Sequence, residues 1–410
     1  MIKDKAKQQL TIKVGEYKIG DDDKQAVNEV LDSGQISEGA KVREFEQLFS
    51  KYVGTQYAVA VNSGTSALIA GLEAVKSKFK VKVKSKVITS PLTYVATSNA
   101  IILTGLEPIY VDVDKETFCV TPDNIKAHIE NNDVSDYRLI LPVHLMGYAC
   151  DMDEICKIAK HHDLLVFEDS AQAHGTLYKG KKTGSLSLLS AFSFYIAHNI
   201  QAGELGAITT NDAEIWRLVK KIKANGRSCD CPLCVRSEGK CPKLPKEGDA
   251  DIDPRFNHEI IGYNFKTMEF PAALAGVQLK KADWIKDRRS ENVQYLNQEL
   301  ERFSDLLQLP KYDQHVSYMA YPIVIKKPER ISRRKLRERL EKLGIETRPL
   351  FGCIPTQQSA YSSFRQKYKS RLPIAEYIGY NGFYIGCHQY LTNSDLDYVV
   401  KCFRTTLEGC

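Results

Sequence analysis

Four of the eleven cysteines of this 410-residue chain lie within a single short run. The run has the spacing C-x-C-x2-C-x6-C, and four thiolates this close together can bind a tetrahedral zinc ion or an iron–sulfur cluster. The other seven cysteines are scattered, which argues against a disulfide framework. Three interpretations stay open: a cluster that carries electrons, a zinc ion that holds a loop together, or no metal. The predicted metal ligands are Cys229, Cys231, Cys234 and Cys241.

Small and hydroxyl-bearing residues follow the first strongly apolar run of the chain. Residues Asn62–Leu68 read NSGTSAL and open a predicted helix directly after a predicted strand. Backbone N–H groups at such a helix start can hold a phosphate group. An ordinary helix cap is the alternative interpretation.

Two further segments at the ends of apolar runs carry groups that can hold or move a proton. One is Phe167–Gly175, FEDSAQAHG, in which Asp169 can pair with the cationic ring nitrogen of a pyridine cofactor or can simply cap a helix. The other is Ser193–Asn199, SFYIAHN, followed by GELG. The imidazole of His198 suits proton transfer because its usual pKa of about 6.5 lies near neutral pH.

Short apolar runs alternate with amphipathic segments through the first two thirds of the chain. This alternation predicts an α/β fold with a mainly parallel sheet, whose ligands lie beyond the carboxyl ends of the strands. The predicted strands are Tyr57–Val61, Lys86–Ser90, Pro108–Asp112, Leu139–His144, Leu164–Glu168, Ala191–Tyr195 and Ala207–Thr210. The predicted helices among them are Ser66–Val75, Thr93–Thr104, Asp151–His161 and Asp212–Lys223.

The alternation stops near residue 224, where the cysteine run lies. We interpret residues of about 226–256 as an insertion that a metal would order, because long loops without secondary structure are usually functional or disordered. The predicted division is a large domain at 1–265, a connecting helix at 266–290 and a smaller α+β domain at 291–410.

Composition excludes several classes of protein. The chain has 43% hydrophobic and 26% charged residues, which suits a globular protein rather than a disordered or fibrous one. Its net charge of +6 is too mild to indicate nucleic-acid binding. No apolar stretch approaches a membrane span and the start lacks a secretory pattern, so we expect a cytoplasmic protein with no membrane association. Alternate lysines from 76 to 86 predict an extended, solvated segment.

The order of the motifs resembles a known family. The segments SGTSAL, SPLTYVAT, EDSAQAHG, SFYIAH with GELGAITTND, IGYNFKTMEFPAAL, TRPLF and LTNSDLDYV are similar to those of the DegT/DnrJ/EryC1/StrS family of pyridoxal-phosphate sugar aminotransferases. The resemblance covers nearly the whole chain. It implies a type I, aspartate-aminotransferase-like fold, pyridoxal or pyridoxamine 5'-phosphate as cofactor, and a nucleotide-linked keto-sugar as substrate.

One residue departs from the aminotransferase pattern. Family aminotransferases have a lysine where His198 stands, and that lysine forms a Schiff base with the cofactor. This chain has no lysine between Lys182 and Lys220. A histidine there resembles the 3-dehydrases of nucleotide-linked 4-keto-6-deoxyhexoses, in which the residue acts as a base and the cofactor is held without a covalent link.

The cysteine run resembles one branch of these dehydrases, the CDP-4-keto-6-deoxyglucose 3-dehydrase type with a [2Fe–2S] cluster. This likeness implies electrons from a separate reductase and a role in deoxysugar or lipopolysaccharide synthesis. That branch also takes one ligand from just after the cofactor-binding aspartate. Here Ser170 and Ala171 stand in that place, so Cys234 would have to complete the set of four.

The resemblance also implies roles for single residues. His198 is the catalytic residue. His174 is expected to be a structural hydrogen-bonding residue rather than a second base, and a homodimer is expected because Asn264 would reach the cofactor phosphate of the neighbouring subunit. The implied cofactor-binding residues are Gly64, Thr65 and Ser193 at the phosphate, Tyr94 stacked on the ring, Asp169 at the ring nitrogen, Gln172 at the ring hydroxyl, and Asn264.

Two other functions stay open from the sequence. One is a nucleotide-sugar aminotransferase whose cysteine loop holds a structural zinc ion. The other is a sensor of sugar or cofactor that has lost the lysine and does not turn over. Formation of an amino sugar from glutamate would indicate the first, and tight cofactor binding without turnover would indicate the second.

Overall fold

The computed structural model describes residues 11–229, 240–241, 253 and 255–408, and these form a large sheet, a smaller sheet and a two-stranded sheet, β6-β7, with helices packed around them. The strands are β1 Tyr57–Val61, β2 Lys86–Thr89, β3 Glu107–Tyr110, β4 Tyr137–Leu141, β5 Leu165–Asp169, β6 Leu177–Tyr178, β7 Lys181–Lys182, β8 Leu189–Ser193, β9 Gly206–Thr210, β10 Leu307–Gln308, β11 Tyr321–Ile325, β12 Arg348–Pro349 and β13 Gly382–Ile385.

Helices occupy most of the chain between these strands. They are α1 Asp21–Ser33, α2 Ala40–Val53, α3 Gly64–Phe79, α4 Ala96–Leu103, α5 Pro122–Glu130, α6 Met152–His161, α7 Ala213–Lys223, α8 Glu269–Lys280, α9 Ala282–Leu300, α10 Arg333–Lys342, α11 Ile354–Gln357, α12 Arg365–Tyr368, α13 Pro373–Asn381 and α14 Asn393–Leu407. No helix in the described ranges is both long enough and apolar enough to cross a membrane.

The large sheet has seven strands in the order β1-β9-β8-β5-β4-β2-β3. Its strands are parallel except β9, which pairs antiparallel with both β1 and β8. The predicted α/β fold with a mainly parallel sheet is therefore confirmed. The carboxyl ends of β1, β5 and β8 consequently lie at the same edge, where ligands of such sheets bind.

Burial on both faces explains why the central strands are almost continuously apolar. Ile140, Phe167 and their neighbours on β4 and β5 are fully buried. Helix α3 packs so closely on this layer that a Cβ atom at Gly71 would lie 2.4 Å from the ring of Phe167. The close approach fixes the start of α3 at the carboxyl edge of the sheet.

A smaller antiparallel sheet follows in the order β10-β11-β13-β12. It lies wholly after residue 300, and helices α10, α13 and α14 lie in the same part of the chain. The chain between the sheets forms two helices, α8 and α9, where the sequence predicts one connecting helix at 266–290. The division at 266 and 291 stays a prediction, although α9 continues to Leu300.

The interpretation of the lysine run as an extended segment is wrong. Lys76 and Lys78 lie in the last turn of α3, and Lys80 ends that helix with a left-handed backbone at φ 53°. The buried apolar face of α3, which includes Leu72 and Val75, overrides the two-residue period of the lysines. Lys76 and Lys78 also suit the negative end of the helix dipole.

Candidate active site

Three chain segments meet at the carboxyl edge of the large sheet. Residues Asn62 and Ser63 lead from β1 into α3, and Ser193 ends the nearby strand β8. A Cβ atom at Gly64 would lie 2.5 Å from the Cβ atom of Ser193, and one at Gly206 would lie 2.1 Å from the Ser63 carbonyl oxygen. Only glycine fits at these two positions. The structure therefore brings the predicted phosphate-binding residues Gly64, Thr65 and Ser193 together.

The first turn of α3 is suited to binding an anion. Ser63 caps the helix, because its Oγ accepts a 3.2 Å hydrogen bond from the backbone N–H of Ser66. The Ser66 hydroxyl in turn donates to Asn62 Oδ1 at 2.6 Å. The backbone N–H groups of Gly64 and Thr65 belong to the first turn, where a helix supplies no acceptor, and they lie at the positive end of its dipole. A phosphate group would satisfy them.

Asp169, at the end of β5, has a buried carboxyl group held by hydrogen bonds. Thr97 Oγ1 donates to its Oδ2 at 2.7 Å, and the backbone N–H of Ala171 donates to its Oδ1 at 3.2 Å. Burial raises the pKa of this carboxyl. In the part of the chain that the structure describes, no Lys, Arg or His side chain forms an ion pair with it. A protonated pyridine nitrogen fits this environment, because it would supply the missing cation.

Gln172 follows Asp169 and is also buried. Its Oε1 accepts a 3.0 Å hydrogen bond from the backbone N–H of Met146, a residue with a left-handed backbone at φ 56°. This contact fixes the amide oxygen and leaves the side-chain nitrogen to donate elsewhere. The arrangement is compatible with the predicted contact to a ring hydroxyl, which stays a prediction.

Tyr94 lies between β2 and α4 and is 60% exposed. Its ring meets that of Phe351 edge-on, with the centroids 6.2 Å apart. An aromatic ring this exposed has surface available for stacking on a planar cofactor. The predicted stacking role therefore fits this geometry, and no contact in the described residues contradicts it.

The imidazole of His198 is half-buried and its tautomer follows from one hydrogen bond. Its Nδ1 lies 2.8 Å from the carbonyl oxygen of Ser193, so the ring proton resides on Nδ1 and donates to that oxygen. The pKa of His198 is lowered to about 4, chiefly by burial and to a smaller extent by the nearby Arg289, against the raising effect of the Ser193 carbonyl. At neutral pH the ring is uncharged and Nε2 carries a lone pair. Such a ring can accept a proton at Nε2.

The expectation that His174 is a structural hydrogen-bonding residue is wrong. Neither ring nitrogen has a hydrogen-bond partner among the residues described, although the side chain is buried. Its ring lies in an apolar cage, with centroids 5.3 Å from Phe192, 4.9 Å from Phe194 and 6.4 Å from Phe49. Burial holds the pKa of His174 well below its usual value. This imidazole is therefore neutral.

The predicted metal ligands are only partly within the described ranges. Cys229 and Cys241 are half-buried, whereas Cys231 and Cys234 lie outside the described residues. Within the described ranges, no three His, Cys, Asp or Glu side chains form a group that could hold a metal. The base of the insertion is paired, since Arg227 and His258 form an antiparallel bridge and Ser228 N donates to Asn257 O at 2.9 Å.

Asn264 lies near the paired base of the insertion, apart from the other predicted cofactor-binding residues. Its side chain is exposed, and its Oδ1 accepts a 2.7 Å hydrogen bond from Lys266 Nζ. The backbone of Asn264 pairs with Ala224, and the next residue, Phe265, accepts a hydrogen bond from Asn62 N at 2.9 Å. An outward-facing side chain is compatible with a contact to a second subunit.

Sequence analysis missed two residues that hold the site together. Thr97, in the first turn of α4, holds Asp169, and the four-residue spacing of Thr93 and Thr97 is a sequence signal for a paired hydroxyl group. Arg289 donates to the carbonyl oxygen of His198 at 3.4 Å. No sequence signal pointed to this contact, because the two residues are 91 positions apart.

The chain matches known proteins over nearly its whole length. The sequence pattern of the DegT/DnrJ/EryC1/StrS aminotransferase family matches residues 17–404. The dTDP-4-dehydro-2,6-dideoxy-D-glucose 3-dehydratase of Saccharopolyspora spinosa is 32% identical, over 93% of this chain and 84% of that protein. The GDP-perosamine synthase of Escherichia coli O157:H7 is 32% identical, over 92% of this chain and 94% of that protein.

Solved structures agree with the fold. The Escherichia coli GDP-4-keto-6-deoxy-D-mannose-3-dehydratase with bound hydrated pyridoxal phosphate superposes with a TM-score of 0.83 at 27% identity, covering 96% of this chain and all of that one. The fold is thus that of pyridoxal-phosphate-dependent aminotransferases, and the residues at the sheet edge fit this cofactor. The chain belongs to the DegT/DnrJ/EryC1/StrS aminotransferase family of pyridoxal-phosphate-dependent sugar enzymes.

Proposed function

We propose that this protein removes the 3-hydroxyl group of a nucleotide-linked 4-keto-6-deoxyhexose. The observation that carries the proposal is His198, which stands where aminotransferases of the family have the lysine that tethers the cofactor. Its Nδ1 is fixed by the Ser193 carbonyl at 2.8 Å, so Nε2 is left as a base. A neutral imidazole can move a proton but cannot hold the cofactor covalently. The cofactor would then work in its amine form, held by non-covalent contacts alone.

The chain's own residues supply the binding of that cofactor. When bound, pyridoxamine phosphate would supply an amine for the 4-keto group and a ring that draws electrons from the carbon to be deprotonated. Asp169 keeps a proton on the ring nitrogen by pairing with it, and Thr97 holds the carboxylate in place. The first turn of α3 and Ser193 hold the phosphate. Tyr94 would stack on the ring, and Gln172 would contact its hydroxyl group.

His198 performs the proton transfer in this proposal. Its low pKa of about 4 means that the ring is uncharged across the physiological range and is ready to accept a proton at Nε2. The proton that Nε2 accepts would come from the cofactor carbon that carries the amine, and its removal would allow the 3-hydroxyl to leave, with one added proton, as water. A base with a pKa this low is weak in the protein without cofactor, and the charges of bound phosphate and sugar would raise the pKa toward neutrality.

Replacement of a hydroxyl by hydrogen also needs electrons. Loss of the 3-hydroxyl as water and its replacement by hydrogen consume two electrons and two protons. We propose that a separate reductase delivers the electrons through an iron–sulfur cluster bound by Cys229, Cys231, Cys234 and Cys241. The half-buried position of Cys229 and Cys241 and the paired base of the insertion are compatible with such a site. Zinc at the same thiolates is the alternative, and it would make the insertion structural.

A second candidate function is a nucleotide-sugar aminotransferase with a zinc-bound insertion. The similarity to GDP-perosamine synthase supports it, since this relative is as similar as the dehydratase from Saccharopolyspora spinosa. In that case an amino group from glutamate would reach the sugar. The absence of a lysine near position 198 favours dehydration.

We also propose that the protein acts as a homodimer. Exposed apolar side chains lie near Asn264, with Ile261 96% and Met268 52% exposed. Ile36 is 56% exposed and belongs to the segment that pairs with Met268 through Ser37. A second copy covering these residues would also bring Asn264 to its neighbour's cofactor. Light scattering of the wild-type protein and of Ile261→Asp tests this, and the variant is expected to dissociate.

The experiment for the proposed activity is product analysis with the amine form of the cofactor. Purified protein is incubated with CDP-, GDP- and dTDP-linked 4-keto-6-deoxyhexoses, with a chemical or enzymatic reductant, and separately with 15N-glutamate. A 3-deoxy sugar supports the proposal, and a 15N-labelled amino sugar supports the aminotransferase instead. His198→Asn is the control, since it keeps a polar side chain but cannot act as the base. Cofactor binding with neither product would point to the sensor.

A further inference from the structure

Arg289, in α9, is a charged side chain buried without a carboxylate partner. It is fully buried, and within the described residues no Asp or Glu forms an ion pair with it. Buried arginines are normally paired with an acid, because an isolated charge is expensive to remove from water. Burying this charge costs free energy of folding, so a role in function would explain Arg289 better than a role in stability.

The guanidinium group instead donates to four neutral oxygens. Its Nη1 donates to the carbonyl oxygens of Met319 at 2.7 Å and Tyr318 at 3.2 Å. Its Nε donates to Gln389 Oε1 at 3.1 Å, and its Nη2 donates to the carbonyl oxygen of His198 at 3.4 Å. The planar fork of arginine can serve these acceptors at once, which a single ammonium group cannot do.

These contacts join the segment after β8 to the segment that precedes β11 of the smaller sheet. Asn199, the residue after His198, donates its Nδ2 to Ser317 O at 3.0 Å, to Ser317 Oγ at 2.9 Å and to Tyr318 O at 3.2 Å. Gln201 Nε2 is a second donor to His198 O, at 3.0 Å. The backbone of His198 is therefore held at its carbonyl by two side chains, while its ring is held at Nδ1 by Ser193.

We propose that Arg289 is a positioning residue for His198: it fixes the backbone that carries the imidazole, and it brings a positive charge that no acidic side chain of the described residues neutralises next to that backbone. This inference rests on the proposed role of His198 as the base. The titratable or charged groups near the ring are Arg289 from α9, His174 from the segment after β5 and Tyr195 from its own segment.

The positive charge of Arg289 and its hydrogen bond to the His198 carbonyl both favour a neutral imidazole in a fixed position. A fixed cation near His198 disfavours a second cation, so Arg289 keeps the imidazole neutral in addition to the effect of burial. The same charge lowers the pKa of His174, after burial and His198. A carboxylate beside Arg289 would cancel this effect, which explains why neutral oxygens are the partners.

Three variants separate the charge from the geometry. Arg289→Gln removes the charge and keeps a donor, Arg289→Lys keeps the charge and loses the fork, and Arg288→Gln is the matched control. Arg288 immediately precedes Arg289 on α9, but its side chain is half-exposed and pairs with Glu291. The readouts are NMR titration of the His198 ring in cofactor-free protein, assigned with His198→Asn, together with turnover and urea unfolding.

The proposal predicts a different result for each variant. In Arg289→Gln the pKa of His198 should rise but stay below its usual value, because burial is the larger cause of the lowering, and turnover should fall roughly 10- to 100-fold, as for a displaced catalytic group. In Arg289→Lys the pKa should stay low while turnover falls by a similar factor. Arg288→Gln should change neither. Destabilisation of Arg289→Gln in urea without a change in the His198 titration would mean a merely structural role.

Several outcomes would overturn the proposal. Wild-type turnover in Arg289→Lys would refute the positioning role, and an unchanged His198 titration in Arg289→Gln would refute the role of the charge. If Arg289→Gln does not fold, turnover of the Lys variant against that of the Arg288 control still decides the first point. The NMR titration does not require the reaction, so failure of the proposed dehydration and failure of this inference are distinguishable.

Discussion

Thr97 Oγ1 donates a 2.7 Å hydrogen bond to Oδ2 of Asp169, which joins helix α4 to the end of strand β5. Thr97 also lies 3.0 Å, hydroxyl to hydroxyl, from Thr93, so the loop after β2 and the end of β5 are held in one arrangement. The carboxylate that we propose to pair with the cofactor nitrogen thus has its orientation fixed before any cofactor binds. This preorganisation reduces the cost of binding.

Thr97→Val should weaken cofactor binding without unfolding the protein. A hydrogen bond to a charged group contributes about 1.5–3 kcal/mol, so the dissociation constant for pyridoxal phosphate should rise roughly 10- to 100-fold. Absorbance titration with the cofactor measures this change. Thr104→Val is the control, because Thr104 is also buried and bonds only to backbone carbonyls of its own helix. Equal affinity in the two variants would show that Thr97 does not hold Asp169 for the cofactor.

Asp169→Asn should weaken cofactor binding but stabilise the cofactor-free protein at neutral pH. Burial raises the pKa of this carboxyl above 3.8, so the folded state binds a proton more tightly than the unfolded chain. The stability from that proton is full below pH 3.8 and is lost as the pH rises through the raised pKa. The variant cannot ionise, so its advantage in free energy of unfolding should appear above pH 3.8 and be absent below it.

Urea denaturation at several pH values tests whether Asp169→Asn has the higher free energy of unfolding above pH 3.8. Asp114→Asn is the opposite control: burial alone would raise the pKa of Asp114, but hydrogen bonds from Thr117 and the Glu116 N–H hold it below 3.8. That variant should therefore be destabilised at neutral pH and should match the wild type in acid. A destabilised Asp169→Asn protein at pH 7 would contradict the account of an unpaired buried carboxylate.

His174→Phe should stabilise the protein and leave turnover unchanged. The imidazole has two buried nitrogens without partners and lies among three phenylalanines, so an apolar ring of similar shape removes a desolvation cost of about 1–3 kcal/mol. The depressed pKa of His174 means that the wild type loses stability as the pH falls below 6.5. The advantage of the variant should therefore grow from pH 7 to pH 5.

Unfolding curves at these two pH values check the prediction for His174. Contributions from His198 and His388, whose pKa values are also lowered, are common to both proteins and cancel in the difference. Loss of turnover in His174→Phe would show that this ring takes part in the reaction.

Anaerobic purification should yield protein with a metal bound at the cysteine run. Iron and sulfide with visible absorbance bands are expected if the run carries electrons, whereas zinc alone would remove the electron path and support the structural alternative. Cys229→Ser should lose the metal. Cys156→Ser is the control, because Cys156 is also half-buried but lies far from the cysteine run in sequence, where its thiol donates to Leu186 O at 3.7 Å. Full metal content in Cys229→Ser would place the site elsewhere.

The sequence was sufficient for the large sheet because its strands are short apolar runs. The strand Tyr57–Val61 agrees with the prediction at both ends, while β8 begins two residues earlier than predicted. The lysine run gave a wrong prediction of an extended segment, because a two-residue spacing of lysines is a weaker determinant of structure than the apolar face that α3 buries. The break between α8 and α9 at Lys281 has no proline or glycine to mark it.

The sequence motifs predicted which residues form the candidate site, but not the long-range contacts that hold those residues in place. Gly64, Asp169 and His198 each follow a strand, so the carboxyl-edge rule brings them together. The contacts of Arg289 with His198, Tyr318 and Gln389 join segments that are up to 100 residues from it in sequence. Such contacts depend on how the two sheets pack, and no local pattern encodes them.

Borohydride reduction of the protein loaded with pyridoxal phosphate, followed by peptide mass spectrometry, tests the central claim most directly. The account predicts that no lysine of the wild-type protein carries reduced cofactor, because His198 occupies the tethering position. His198→Lys should become labelled at residue 198, should lose deoxygenation and should gain transfer of an amino group from glutamate. Stoichiometric labelling of any lysine in the wild-type protein would contradict the account.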